Sequence, residues 1–192
     1  MVREALAVCW LFLPLLLGLV FHGFCLKFHW LPQLNRPVDA SVRLRGKPIF
    51  GANKTYRGLL TVGIGTSAGF WLQAHVFSSL PSFHRIELLD YSQVPSLSLG
   101  FAVGVAAMLS ELPNSFVKRR LGIASGSPAD GVLGPVFYVL DQVDMLFGSW
   151  LVLAWFVPVS WQHVAASVIF LFLSHQVITR AGYALGMRAT AR

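Results

Sequence analysis

The sequence predicts an all-α integral membrane protein of about five transmembrane helices, with two functional loops on one face of the bilayer. Three observations lead there. Hydrophobic residues make up 55% of the 192-residue chain and charged residues only 12%, about half the charge of an average soluble domain. The apolar residues gather into five segments, each long enough to cross about 30 Å of hydrocarbon. The basic residues are sorted to one side of those segments, the asymmetry that orients membrane proteins.

The first segment, 5–26, is a long apolar run without a small-residue cleavage site after it, so it reads as a retained helix and not a signal peptide. The second, 58–77, contains Gly63-Ile64-Gly65-Thr66-Ser67-Ala68-Gly69, a run of small residues that lets helices approach closely. The third covers 94–112 around FAVGVAAML, the fourth 132–157, and the fifth 163–185 around VAASVIFLFL. Cys9 and Cys25 both fall in the first segment. They offer no disulfide framework or metal spacing, which leaves core packing as their expected role. The whole chain, 1–192, is expected to form a single membrane-embedded domain.

Orientation follows from the Lys and Arg residues. The loop 27–57 holds Lys27, Arg36, Arg43, Arg45, Lys47, Lys54 and Arg57; the loop 113–131 holds Lys118, Arg119 and Arg120; Arg180, Arg188 and Arg192 lie at the C-terminal end. These are thirteen of the fifteen basic residues, leaving only Arg3 and Arg85 for the opposite side. Five spans place both loops and the C-terminus on one face, and the positive-inside rule makes that face cytosolic. The N-terminus and the 78–93 hairpin then face outward. The expected location is the cell (inner) membrane, multi-pass, with the functional loops facing the cytosol. The net charge of +7 is assigned to this topology and to anionic headgroups or a polyanionic substrate, and not to nucleic acid.

Each loop carries more than a topology signal needs. In the first, Gly51-Ala52-Asn53-Lys54-Thr55-Tyr56-Arg57-Gly58 sets amide, ammonium, hydroxyl and guanidinium groups where the chain enters the second span. A helix starting there would add the anion-binding N–H groups of its first turn. In the second, Asn114 and Ser115 precede Lys118-Arg119-Arg120, and Gly122, Gly126, Gly131 and Gly134 follow, glycines that allow close backbone approach to a ligand. A positive-inside anchor explains the Lys and Arg residues but leaves the Asn, Thr and Gly residues unexplained. No GxxxxGK[ST] loop is present, which excludes a Walker-type nucleotide site.

The fourth segment contains Asp141 and Asp144, spaced to share one helical face. A charged residue near the middle of a membrane helix costs roughly 2.5–3.5 kcal/mol. Two carboxylates at that depth need compensation, either from Arg or Lys of another helix or from a divalent cation. Mg²⁺ characteristically takes one or two carboxylates together with substrate phosphates and water. Two basic loops above a carboxylate pair therefore suit a Mg²⁺-bound polyphosphate whose reaction partner is a membrane lipid. Phosphoryl and nucleotidyl transfers need charge neutralisation and in-line positioning more than covalent chemistry by the protein. No Ser–His–Asp or Cys–His arrangement is required, and the six histidines form no close sequence cluster.

Several runs resemble the CDP-archaeol synthase family, a branch of the CTP-dependent lipid cytidylyltransferases that includes phosphatidate cytidylyltransferase. They are PVDASVRLRGKPIFGANKTYRG, ELPNSFVKRRLGI, GPVFYVLDQVDMLFG and the C-terminal HQVITRAGYALGMR, collinear over most of the chain. The resemblance implies a five-span enzyme that moves CMP from CTP onto the phosphate of a membrane lipid, requires Mg²⁺ and releases pyrophosphate. It implies metal binding by Asp141 and Asp144, and neutralisation of the triphosphate by Lys118 and Arg119. Asn53, Lys54 and Arg57 would complete the nucleotide pocket, with Thr55, Asn114 and Ser115 beside them. Lys118, Asp141 and Asp144 are the expected catalytic residues. Cytidine specificity comes from the resemblance alone. The chain lacks the His-Gly-Gly and Asp-Arg-x-x-Asp patterns of the larger phosphatidate enzymes and has Asp-Gln-Val-Asp instead, which favours the compact archaeol-type branch. The lipid phosphate itself, isoprenoid or acyl, stays open.

Two other readings remain at this point. A cation- or proton-coupled transporter could use Asp141 and Asp144, but the other spans carry almost no charge and no inverted repeat is evident. A non-catalytic partner with the same fold would not need both aspartates and Lys118. A lateral opening beside the fourth span is the expected lipid entrance, and a homo-oligomer is compatible with the sequence.

Overall fold

The computed structural model describes residues 2–184. Arg188 and Arg192 of the basic C-terminal end, and the last residues of the HQVITRAGYALGMR run, lie outside the described residues. The described residues are mostly helical, with almost no strand. Helix α1 spans Val2–Lys27, α2 Tyr56–Leu72, α3 Pro81–His84, α4 Ser96–Arg120, α5 Leu133–Leu153 and α6 Trp161–Ala184. Between α1 and α2 lie a 3₁₀ turn at Pro32–Leu34 and a small antiparallel hairpin, β1 Arg43–Leu44 with β2 Lys47–Pro48.

Among the described residues three helices, α1, α4 and α5, are long and apolar enough to cross a membrane, and α6 has a shorter apolar stretch, Trp161–Ser174. α2 runs without a break into a π turn at Gln73–Phe77, so the two together cover the segment expected at 58–77. The four polar or charged residues at the start and end of the bundle sort consistently. Arg3 Nε donates to the Arg85 carbonyl at 2.9 Å, and Glu4 accepts from or pairs with His163 Nε2 at 2.9 Å. The N-terminus of α1, the 78–93 segment and the start of α6 therefore share one end, and the two basic segments occupy the other.

Small residues set how closely the helices cross. A Cβ on Gly65 of α2 would stand 2.7 Å from Gly18 Cα of α1, and one on Gly104 of α4 would stand 2.9 Å from Gly63 Cα. Neither backbone has room for a side chain, as the small-residue run implies. Around these crossings Val8, Phe12, Leu15, Val62, Phe70, Val103, Ala107, Leu146 and Leu153 form a continuous apolar core.

One boundary differs from expectation. The second basic loop was expected to begin at residue 113, but α4 continues through Pro113 to Arg120. At about 1.5 Å per residue its 25 residues extend about 37 Å, more than the hydrocarbon thickness. Asn114, Ser115, Lys118 and Arg119 are therefore helical residues, not loop residues. Proline normally ends a helix interior. Here the two turns after it are held by tertiary partners: Asn114 and Lys118 bond to α5, Arg119 to Ser125, and Arg120 to the hairpin.

Candidate functional site

The first basic loop owes its shape to a buried carboxylate. Asp39 Oδ1 accepts from Ser41 N at 2.9 Å, and Oδ2 accepts from Phe50 N at 2.8 Å and Gly51 N at 3.2 Å. Burial by itself would raise the Asp39 carboxyl, but these N–H donors more than offset it and hold the group below the ordinary carboxylate range. The chain then turns at Gly51, whose φ of +102° suits glycine, and the Val38 N–H donates to the Lys54 carbonyl at 2.8 Å. Asn53 and Lys54 are thereby presented toward α4.

The two basic segments interlock. A Cβ on Gly126 (φ +80°) would stand 2.9 Å from Asn53 Nδ2, and one on Gly51 would collide with Ser125 Oγ. Arg119, buried, donates to that same Ser125 Oγ at 2.9 Å. Between them lies a cavity of about 870 Å³, lined by residues that include Phe50, Asn53, Lys54, Glu111, Ser115, Lys118, Arg119, Ser125–Pro128 and Asp141. This falls within the size range of small-molecule sites, about 300–1,000 Å³.

Its floor is where α4 meets α5. Glu111, Asn114, Ser115 and Lys118 recur at helical spacing on one face of α4. Opposite them, Asp141 and Asp144 occupy the third and fourth turns of α5. The Asn114 amide nitrogen donates to Asp141 Oδ1 at 2.7 Å and to Asp144 Oδ2 at 2.8 Å. Lys118 Nζ reaches both Asp141 oxygens at 2.5 and 2.6 Å and lies 5.3 Å from the centroid of the Phe137 ring. Ser110 Oγ donates to the Asp144 carbonyl at 2.6 Å, pinning the two helices just below. Lys54 forms an ion pair with Glu111 across the cavity.

Six of the residues expected from the sequence line the cavity: Asn53, Lys54, Ser115, Lys118, Arg119 and Asp141. Asn114 and Asp144 stand directly behind them. Two expected residues turn elsewhere. The Thr55 hydroxyl caps α2 by accepting from Gly58 N at 3.2 Å. Arg57 is buried and donates to Asn35 Oδ1 at 3.1 Å and the Trp30 carbonyl at 3.4 Å, fastening the start of α2 to the part of the first loop that follows α1. Arg120 is also diverted. It donates to the Leu44, Lys47 and Pro48 carbonyls and clamps the hairpin against α4. The sequence reading missed Asp39, Phe50, Glu111, Ser125, Ser127 and Pro128, while Gly126, which it named, lines the cavity. For Glu111 a signal existed: a carboxylate one turn before Asn114 and two before Lys118, at the edge of an apolar helix.

A divalent cation fits this donor set. Among the described residues no group of three or more His, Cys, Asp and Glu side chains is placed to hold a metal ion. Two convergent carboxylates with room for phosphate and water are, however, the usual protein share of a Mg²⁺ site. Asn114 Oδ1 is buried without a hydrogen-bond partner beside that pair, an unmet acceptor of the kind a bound cation satisfies.

The chain matches the family model described as CarS-like, CDP-archaeol synthase, over residues 2–191. It is 29% identical over 157 residues to a CDP-archaeol synthase of Pyrobaculum islandicum, covering 81% of this chain and 82% of the relative. It is also 29% identical over 165 residues to one of Methanococcoides burtonii, covering 80% and 88%. A solved structure of an intramembrane enzyme for archaeal membrane lipid biosynthesis superposes with a TM-score of 0.58 at 26% identity, covering 85% of this chain and 89% of the other.

Proposed function

Because the chain belongs to the CDP-archaeol synthase family, we propose that its cavity carries out CTP-dependent cytidylyl transfer, making a CDP-lipid from a membrane lipid phosphate of archaeol type. The observation that carries this reading is the cavity's composition. Lys54, Lys118 and Arg119 surround a space that Asp141 also lines, with Asp144 held just behind by Asn114.

A lipid phosphate oxygen attacks the α-phosphorus of CTP; the new P–O bond joins CMP to the lipid, the α–β bridge breaks, and pyrophosphate leaves. The attacking oxygen is already anionic near neutral pH, since the second pKa of a phosphate monoester is about 6, so no side-chain base is needed. Lys118 and Arg119 neutralise the triphosphate, and Asn53, Lys54 and Ser115 border the rest of the nucleotide space. Asp141 and Asp144 would hold Mg²⁺, which supplies charge neutralisation on the phosphates when bound. Asn114, hydrogen-bonded to both, fixes their orientation.

The protein is a multi-pass membrane protein. The distribution of its basic residues supports a five-span arrangement in the cell membrane, with the cavity facing the cytosol. The α5 surface beside Asp141 exposes Val136, Val139 and Leu140, which supports lipid entry along this helix.

The test uses purified protein in detergent with labelled CTP and Mg²⁺. A di-isoprenoid glycerol phosphate is offered in one reaction and phosphatidate in another. A labelled CDP-lipid is expected with the isoprenoid substrate. Intact CTP and no labelled lipid in either reaction would overturn the proposal.

A further inference from the structure

Glu111 lines the cavity yet has no part in the reaction described above. It pairs with Lys54, and the pair is largely shielded, with side-chain exposures of 22% for Lys54 and 18% for Glu111. Both residues lie within electrostatic reach of Asp144. Lys118, the cavity's other lysine among the described lining residues, is held in the same way by Asp141. Each ammonium is thus already engaged by a carboxylate, and a triphosphate entering the cavity meets cations whose charge is locally balanced.

We propose that Glu111 keeps the Lys54 ammonium paired before nucleotide arrives and competes with the triphosphate for it, so that the pairing lowers CTP affinity. This rests on the reading of the cavity as a CTP site. The physical basis is the lysine's flexible four-carbon stem. An ammonium without a local acceptor turns toward water, so a carboxylate on the rigid α4 keeps it over the cavity. The same carboxylate must be displaced when phosphate binds. Lys54 belongs to the first loop and Glu111 to α4, so the exchange also loosens one tie between loop and helix as nucleotide enters.

A carboxylate that served only to fasten the loop would behave oppositely when neutralised. Equilibrium binding of CTP to the detergent-purified full chain, in EDTA without Mg²⁺, separates the two, with the melting temperature as the control for folding. Glu111→Gln is expected to bind CTP about threefold to tenfold more tightly than the unaltered protein, the scale of one part-shielded ion pair. Glu111→Ala gives a second measure of the same gain. Lys54→Met is expected to bind more weakly, and adding Glu111→Gln to it should bring no further gain, since no ammonium remains to be released. Unchanged or weaker CTP binding by folded Glu111→Gln and Glu111→Ala would overturn the proposal. Absence of CTP binding by the unaltered protein, with and without Mg²⁺, would instead overturn the nucleotide reading on which it rests.

Discussion

Lys118 Nζ lies 2.5 and 2.6 Å from the two carboxylate oxygens of Asp141, joining the end of α4 to the third turn of α5. The side chains are 12% and 47% exposed, so the ammonium is enclosed while the carboxylate looks into the cavity. A cation held by one face of a carboxylate leaves the rest of that group's lone pairs available to a ligand.

Replacing Asp141 by Asn tests that assignment. Turnover of CTP into CDP-lipid is expected to fall by about 10²–10³, the usual scale for removing one charged participant from a transferase site. The melting temperature in detergent should change little, because the side chain is half exposed and Asn114 can still hydrogen-bond to an amide. Normal turnover by folded Asp141→Asn would rule out the aspartate as a metal ligand.

The Gly126→Ala variant tests the interlock of the two loops. Its φ of +80° costs an alanine roughly 1–2 kcal/mol, and the new Cβ would stand 2.9 Å from Asn53 Nδ2. The expected result is a CTP dissociation constant raised several-fold with the bundle intact, read from titration of the purified variant. Unaltered affinity would separate Asn53 from the nucleotide space.

Arg57→Met should behave as a stability variant. Removing the guanidinium leaves Asn35 Oδ1 and the Trp30 carbonyl without their donor, at a cost of about 1–3 kcal/mol. A lower melting temperature with an unchanged KM for CTP is expected in the folded fraction. A large rise in KM without loss of stability would return Arg57 to the nucleotide pocket.

Asp39 predicts how acid acts on the first loop. Its folded carboxyl titrates below the ordinary carboxylate value, because three backbone N–H donors outweigh the effect of burial. A depressed carboxylate contributes stability that is complete above the unfolded value of about 3.9 and is lost as pH falls through the folded one. Melting temperature measured from pH 6 downward, about the limit at which carboxylates begin to protonate, should therefore decline more steeply below about pH 4 than it does for Asp39→Asn. That variant should already be less stable at neutral pH. Parallel profiles for the two proteins would show that the loop does not depend on this carboxylate.

Much of the site was legible because its logic is local. Two aspartates i, i+3 in an apolar segment, and a lysine at the end of another, announce themselves by cost. Two expected residues face away from the cavity, for a reason with no local signature. Thr55 and Arg57 sit beside Asn53 and Lys54 in the sequence, but the chain enters α2 between them, and the helix turns one hydroxyl to its own cap and the guanidinium toward the part of the first loop that follows α1. Conversely, Ser125, Ser127, Pro128 and Phe50 carry no chemical mark, and reach the cavity only because Gly51 and Gly126 let the two loops interlock.

The sequence by itself determined the membrane class, the placement of the helical segments to within a few residues at most ends, and the side of the bundle on which the polar chemistry collects. Hydropathy and charge are properties of single residues summed along the chain, and the bilayer acts on that sum. Only the tertiary structure decided which polar side chains face one another. That choice depends on the rotation of each helix about its axis, which close glycine crossings such as Gly18 against Gly65 fix, and on the continuation of α4 past Pro113. Partners supplied by α5 and the first loop stabilise that continuation, and they carry Asn114 and Lys118 to the aspartates.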